Sequence, residues 1–368
     1  MIPRTWRGRA SGIQQTLAVR VIHPGPAPLV RSPTGQMVRL CEGDDGSWPG
    51  AQVFGLRALT TLERGDVLLV AQSGEVELLF RSSWRHNFLL VTRRCDSRCV
   101  MCSQPPVDMD DAARVDALKE ALRLIPDGAG DIGLTGGEPA LLGERLVDLV
   151  GDLRNLLPSR PVHVLSNGRR FKELALASAL RALAHPDLMV GVPLYADHAA
   201  LHDEVVRAPG AFVETMYGYE NLGRAGVPVE VRVVLQAMTL PRLEKLALFI
   251  YRNLPFASQI VFMGLEPTGW AVPNLKRLWI DPFDLGEPLE RAVDVLRLRG
   301  MRVRIYNLPL CSLPRSLWSL ATASISDWKN DFVPECAPCV VRDRCAGFFT
   351  STVGKAGALI RVAPIMED

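Results

Sequence analysis

The sequence predicts an α/β fold: a partial (β/α)6 barrel with a small β-rich domain before it and a cysteine-rich extension after it. Three observations predict this. From residue 87 onward, short apolar runs alternate with longer stretches of helical periodicity. Those runs are apolar without strict alternation, the pattern of parallel strands covered on both faces by helices. The text before residue 87 shows period-two alternation and turn residues instead of helical spacing.

In order along the chain, residues 1–86 form the β-rich domain. TLAVRVIHP at 16–24 alternates as a strand, and so do residues 52–56. The pair DVLLVAQ at 66–72 and EVELLF at 75–80 flanks Ser73-Gly74, a hairpin turn. No chemistry-bearing motif occurs here, so the domain is expected to be a structural module or a substrate-docking platform. Residues 87–306 form the barrel. Its strands are expected at 88–92, 131–135, 162–166, 188–194, 229–235 and 259–263, with helices at 110–124, 143–157, 171–184, 212–225 and 240–253. In the last of these, Leu243, Leu246, Ala247 and Ile250 share one face. A helix at 284–299 and a strand at 302–306 follow, and residues 307–368 are the extension. In such folds the loops that follow the strands gather on one rim, where active sites are built.

Bulk properties narrow the function. A chain of 368 residues buries a full core, and 48% hydrophobic with 22% charged residues excludes wholesale disorder. A net charge of +2 gives no broad footprint for nucleic acid. No apolar run approaches a membrane span, and MIPRTWRGRASGIQQ lacks the apolar core of a secretion signal, so a cytoplasmic location is expected. No acid precedes Glu42, whereas Arg4, Arg7, Arg9, Arg20, Arg31 and Arg39 do. A transit peptide is one reading of that bias. The strand-like text at 16–24, with proline-rich text after it, ranks a basic β-rich face higher.

The cysteines carry the chemistry. They stand at 41, 95, 99, 102, 311, 336, 339 and 345. In a reducing compartment, clustered cysteines read as metal or redox ligands, and Cys41, alone, as a plain buried thiol. Cys95, Cys99 and Cys102 lie in the loop after the first barrel strand, within NFLLVTRRCDSRCVMCSQPP. Three thiolates hold three irons of a cubane cluster and leave the fourth open, and an open metal position marks a site that binds substrate. A zinc site with a distant fourth ligand is the competing reading of the spacing alone. The loop after the second strand reads GLTGGEP, where Gly136 and Gly137 allow a sharp turn and close backbone approach to a ligand, followed by Glu138 and Pro139. After the third strand come Ser166, Asn167 and Gly168; Gly168 is turn chemistry, and Asn167 is a candidate for the pocket lining. The fourth strand leads to HDEVVRAPGAF at 202–212, with Arg207, and the apolar fifth strand carries Arg232.

Together these motifs resemble the radical S-adenosylmethionine (SAM) superfamily over roughly residues 87–265. The resemblance implies a TIM-like radical SAM barrel whose [4Fe–4S] cluster, held by Cys95, Cys99 and Cys102, chelates SAM at its open iron. Reductive cleavage of SAM then yields a 5′-deoxyadenosyl radical that takes a substrate hydrogen. It also implies that the Gly136–Pro139 segment meets the SAM ammonium and that Asn167 lines the pocket. Arg207 is expected to approach the SAM carboxylate, and Arg232 to serve the cofactor or pair with Glu138. Two departures are visible. Met101 replaces the aromatic residue common before the third cysteine and is expected to pack on adenine; Pro193 stands where a strand-end serine is usual. His202 and Asp203 are expected to cap the following helix.

In the extension, Cys336, Cys339 and Cys345 form C-x2-C-x5-C, and Cys311 completes four thiols, a closed site. The spacing resembles the SPASM extension of peptide-modifying radical SAM enzymes, shortened to a single-cluster, twitch-like form. A second, auxiliary [4Fe–4S] cluster is expected, with structural zinc as the alternative. The strings CVMCSQPP, VPLY, YNLPLCSLP, ISDWKN and CAGFF resemble the His-Xaa-Ser system radical SAM maturases termed HxsC. The function expected from these resemblances is C–H functionalisation or crosslinking of a ribosomally made peptide (a RiPP), post-translational modification of a His-Xaa-Ser repeat precursor. Flavodoxin or ferredoxin is implied as electron donor, and a second radical SAM maturase as partner. The competing readings are a radical SAM enzyme acting on a nucleotide, cofactor precursor or tRNA, and a non-catalytic metal-binding scaffold. Tyr195, Asp203 and Glu266 are candidates for acid–base work; no catalytic residue is fixed by the sequence.

Overall fold

The computed structural model describes residues 5–43, 48–128, 130–322, 330–353 and 361–367. The fold is α/β, with parallel strands alternating with helices, and its residues fall into two compact units. The first unit comprises residues 1–93, 108–163 and 183–187, and the second 94–107, 164–182 and 188–368.

In the first unit, eight strands form one sheet: β1 (Thr5–Arg7), β2 (Arg9–Ser11), β3 (Leu17–His23), β4 (Leu29–Arg31), β5 (Met37–Leu40), β6 (Ala51–Phe54), β7 (Val67–Val70) and β8 (Glu75–Phe80). Their order is β1-β8-β7-β3-β4-β5-β6-β2, antiparallel except for the β5–β6 pair. The expected hairpin is β7–β8. Next come β9 (His86–Thr92), α1 (Ala112–Leu122), β10 (Asp131–Gly136) and α2 (Glu144–Leu156), with β10 parallel to β9. Polar side chains lock the sheet to this first strand–helix repeat. Arg81 is buried against Asp66 through two bonds of 3.0 and 2.6 Å, and Asn87 of β9 brackets the Arg81 main chain at 2.9 and 3.3 Å. Arg114 of α1 donates to Glu77 of β8 at 2.8 Å and to the Leu90 carbonyl of β9. Such buried groups persist only when paired, so these contacts fix one arrangement of the unit.

Strand β11 (Val162–Leu165) carries the chain from one unit into the other. The second unit holds α3 (Leu174–Ala182), β12 (Leu188–Pro193), α4 (Ala199–Val206), α5 (Ala211–Ala225), β13 (Val229–Val234), α6 (Leu243–Asn253), β14 (Gln259–Met263), α7 (Leu275–Leu278), α8 (Gly286–Arg297) and β15 (Val303–Tyr306). Strands β12 to β15 pair in parallel in sequence order. Val229, Val231 and Val233 of β13 are buried on one face, while Glu230, Arg232 and Val234 alternate onto the other. Helix α6 buries Leu243, Leu246, Ala247 and Ile250, the stripe read from the sequence. Helix α5 ends where Gly226, at φ +73°, takes the left-handed turn, and the Val227 N–H closes the helix on the Leu222 carbonyl at 2.9 Å. In the extension, residues 330–331 and 348–349 form a short antiparallel pair. Among the described residues no helix is long and apolar enough to cross a membrane.

Helix α4 was not expected. The segment that follows the fourth barrel strand is two turns of helix that bury His202, Val205 and Val206.

Candidate functional site: two thiol sets

The claw loop is fixed from three sides within the second unit. The N–H groups of Arg98 and Val100 donate at 2.9 Å to the carbonyls of Val206 and Val205, the last turn of α4. Helix C-termini leave such carbonyls unpaired, so α4 supplies ready acceptors for an extended loop. From the loop after β14, the Trp270 N–H donates to the Cys102 carbonyl at 2.8 Å and Asn274 Nδ2 to the Val100 carbonyl at 3.1 Å. That approach requires Gly269, at φ +55°, because a Cβ there would lie 2.4 Å from the Cys102 oxygen. From the loop after β11, Asn167 Nδ2 donates to Asp96 at 2.6 Å. Arg169 reaches the Asp96 carbonyl and Ser97 Oγ (3.1 Å), and is itself held by Glu214 at 2.7 Å.

Asn167, read as a pocket residue, is therefore committed to the claw loop, and its Oδ1 accepts the Arg169 N–H at 3.0 Å. Met101, expected to face adenine, is buried in the protein's own apolar cluster with Val100, Tyr195, Val205 and Leu265. It serves the packing beneath the loop.

The thiols are partly buried, and their charges repel one another. Burial pushes Cys99 strongly up, and the neighbouring Cys102 and Cys95 push it further. Cys102 is also raised by burial, and its Sγ lies 3.1 Å from the Gln104 carbonyl. Cys99 and Cys102 give up their protons readily only beside a cation, so the site fits a metal group that takes thiolates.

The other sequence candidates fall as follows. Arg207 caps α4 at φ +50°, and its exposed guanidinium lies 3.5 Å from Asn274. Arg232 pairs with Glu230 at 2.8 Å, two residues back on the same face of β13, and its other nitrogen meets Met263 Sδ at 3.6 Å. The expected pairing with Glu138 is thus corrected: alternation along one strand had already placed a carboxylate beside it. Asp203 caps α5, accepting from the N–H groups of Gly210 (2.6 Å) and Phe212 (2.7 Å), as expected. His202 does not cap; it is buried, and its Nδ1 accepts the Tyr195 N–H at 3.4 Å. Glu266 lies in the loop after β14. Sequence reasoning missed Asp96, Arg169, Glu214 and Gly269. It also missed Gln236, past β13, which is fully buried with no partner for either side-chain amide atom among the described residues.

The Gly136–Pro139 segment belongs to the first unit. A Cβ on Gly136 would meet the Thr92 carbonyl oxygen at 2.2 Å, and the Gly137 N–H donates to that oxygen at 2.9 Å. Glu138 is fully buried, and its carboxylate accepts the Ala140 N–H at 2.9 Å, with Pro139 opening the short helical turn.

In the extension, Cys311, Cys336, Cys339 and Cys345 line one cavity walled by Phe332, Val341, Phe348 and Val362. Burial is the main cause that raises Cys311 and Cys336; Cys311 also feels the other three thiols, and Cys336 feels Cys345 and Cys339. The N–H groups of Leu310 and Gly347 donate to Cys345 Sγ at 3.3 and 3.4 Å. The Arg342 guanidinium lies over Phe332 at 4.9 Å, on the cavity wall. Among the described residues no three His, Cys, Asp or Glu side chains gather closely enough for a single metal ion. The four thiols share the lining of that one cavity. Cys41 is a plain buried thiol, with Sγ 3.6 Å from the Val53 carbonyl. Of the ISDWKN string, residues 325–329 lie outside the described residues.

Comparison with known proteins agrees with the claw. Residues 89–250 match the family model of the Radical SAM superfamily. The matched segment, less than half of the chain, contains the claw and the Gly136–Pro139 loop. The sequence is 29% identical over 156 residues to a GTP 3′,8-cyclase of Paenarthrobacter nicotinovorans, covering 40% of this chain and 42% of that one. It is 37% identical over 89 residues to the GTP 3′,8-cyclase of Pseudomonas putida (strain W619), covering 23% and 26%. The chain thus spans less than half the length of these relatives. Among solved structures it is similar to Streptococcus suis SuiB bound to S-adenosylmethionine (TM-score 0.48, 15% identity, 60% of this chain and 50% of that one). It is also similar to a radical SAM methyltransferase from Sphaerobacter thermophilus (TM-score 0.43, 16% identity, 85% and 78%).

Proposed function

We propose that this enzyme reductively cleaves SAM and uses the resulting 5′-deoxyadenosyl radical to functionalise a C–H bond of, or crosslink, a ribosomally made peptide or small protein. The observation that supports the reading is the pair of thiol sets: three thiols on one clamped loop, and four lining a separate cavity. Cys95, Cys99 and Cys102 hold the SAM-binding [4Fe–4S] cluster, whose chemistry when bound is one-electron reduction of SAM. Around it, α4, Asn167 and Trp270 hold the loop so that the thiolate geometry is set before loading. The buried cluster of Val100, Met101, Tyr195 and Leu265 excludes water beneath it, which protects a reactive intermediate from quenching. Gly136, Gly137, Glu138 and Pro139 serve the SAM ammonium, and Arg207 approaches its carboxylate. Cys311, Cys336, Cys339 and Cys345 hold an auxiliary [4Fe–4S] cluster with no protein-free position, suited to taking an electron and not to binding substrate.

The four-thiol extension favours a peptide, and the resemblance to the HxsC maturases favours a His-Xaa-Ser repeat precursor, with a flavodoxin or ferredoxin as donor and a second radical SAM maturase as partner. The short matches to GTP 3′,8-cyclases favour a nucleotide as the second reading. The test is anaerobic reconstitution followed by dithionite and SAM, with a His-Xaa-Ser repeat peptide or GTP added in parallel. The first reading predicts 5′-deoxyadenosine release coupled to a mass change in the peptide alone. Product from GTP alone selects the second. Cys99→Ala abolishes cleavage, whereas Cys339→Ala retains part of it and loses the product.

A further inference from the structure

The eight-stranded sheet of the first unit carries more positive charge than its own acids pair. Its strands hold five arginines, Arg7, Arg9, Arg20, Arg31 and Arg39, and two acids, Glu75 and Glu77 of β8. Both acids are committed. Glu75 pairs with Arg7 at 3.7 Å and with Arg93 at 3.0 Å, and Glu77 with Arg114 of α1 at 2.8 Å. The sequence shows the same bias. Six of the 42 basic residues and none of the 40 acids precede Glu42, so the first 41 residues are at +6 and the remainder at −4.

Arg20 of β3 and Arg31 of β4 are direct register partners and both are exposed, so the two side chains leave one face of the sheet. Like charges directly opposite one another destabilise a sheet. Among the described residues no ion pair or side-chain hydrogen bond reaches either arginine. On the next strand, Arg39 of β5 is the partner of Leu29, two residues from Arg31, which puts it on that face too. Its guanidinium lies 5.9 Å from the centre of the Trp48 ring. Protection of a sheet edge does not account for the pair, because β3 and β4 are interior strands. The sheet also has little edge to protect. Thr5–Arg7 pairs with β8 and Arg9–Ser11 with β6, so one stretch joined at Gly8 closes the sheet on itself. A partner thus finds little backbone to extend as a strand and has to be held by side chains.

We propose that this face docks a short acidic segment of the peptide or small protein that the enzyme modifies, with Arg20 and Arg31 holding its carboxylates and Arg39 extending the contact. This rests on the peptide reading above. A guanidinium binds a carboxylate through paired N–H donors, which gives such a contact both strength and orientation. Neighbouring strands lie about 4.8 Å apart, so the three arginines span about 10 Å, the reach of a few acidic side chains. A nucleic acid takes a longer basic track, and the rest of the chain, at −4, continues none.

The test is fluorescence anisotropy with the reconstituted full chain, without SAM or reductant. The probes are a labelled peptide with four consecutive glutamates, its glutamine counterpart, and a labelled single-stranded RNA of twelve nucleotides. Arg20→Gln/Arg31→Gln is compared with wild type and with Lys245→Gln/Arg252→Gln, which removes the same charge from exposed positions of α6. The glutamate peptide is expected to bind wild type and the α6 variant alike, and the glutamine peptide neither. Its Kd is expected to be about tenfold higher in Arg20→Gln/Arg31→Gln. Because that variant relieves a like-charge pair, its thermal unfolding midpoint should not fall, which separates a lost docking group from a lost fold. No binding of the glutamate peptide by wild type, an equal loss in both variants, or tighter binding of the RNA overturns the proposal. Should the double variant fail to fold, Arg20→Gln and Arg31→Gln are measured singly, and unchanged affinity in both overturns it. Turnover of GTP alone by wild type that still binds the glutamate peptide overturns the peptide reading instead.

Discussion

Replacing Gly269 by alanine tests how tightly the claw loop is held. At φ +55° the new side chain costs about 1–2 kcal/mol in backbone strain. Its Cβ would lie 2.4 Å from the Cys102 oxygen and 2.7 Å from the Ser103 oxygen, both main-chain atoms that cannot swing aside. Displacing them costs a further ~1–3 kcal/mol by analogy with overpacked cores, and losing the Trp270 N–H bond to Cys102 costs about 1 kcal/mol. The sum, about 3–6 kcal/mol, is a large share of a typical domain's stability. Gly300→Ala is the matched control: its φ is +76° but nothing lies within 4 Å, so only the backbone strain applies. Chemical denaturation and iron per chain after reconstitution are measured for both. Gly269→Ala is expected to lose the claw's share of iron and most of its stability margin, Gly300→Ala neither. Equal midpoints and full iron in the two variants would refute the view that this glycine secures the cluster loop.

Three further expectations follow from the same geometry. Asn167→Ala removes the bonds to Asp96 (2.6 Å) and to the Arg169 N–H (3.0 Å), about 2 kcal/mol together. It should lower claw iron while the four-thiol set stays loaded, read by iron analysis and EPR. Gln236→Leu removes a fully buried amide with no partner among the described residues, so the unfolding free energy of the cluster-free protein should rise by about 1–3 kcal/mol. A fall would show that the amide is used. His202 is depressed to about 4, mainly by burial. Because its folded value lies below the unfolded one, the unfolded chain binds the proton first as pH falls. Stability should therefore be lost from about pH 6.5 down to about pH 4, by ~3 kcal/mol in all, and His202→Gln should flatten that part of the curve.

Much of the fold was legible because parallel strands announce themselves as apolar runs: β9, β10 and β12 to β15 all lie within a residue or two of their expected positions. Helix α4 was hidden because it spans only eight residues, too few for periodicity to show. The thiols were legible by spacing, and Cys311 does line the cavity with the other three. The clamp was not legible. Asn274 and Val100 stand 174 positions apart, and nothing in either segment marks the other as its partner. Arg232 shows the opposite failing: its partner Glu230 is two positions away, plainly visible, and was passed over for a distant candidate.

The central claim is that the two thiol sets hold two clusters of different kinds, one open to SAM and one closed. Iron and sulfide per chain in anaerobically reconstituted wild type, Cys99→Ala and Cys339→Ala test it most directly, with EPR of each reduced protein with and without SAM. The account predicts close to eight irons in wild type and about four in each variant, at four irons per [4Fe–4S] cluster. SAM should change the spectrum of Cys339→Ala and leave that of Cys99→Ala unaltered. Zinc in place of iron, or a spectrum in Cys99→Ala that still responds to SAM, would contradict it.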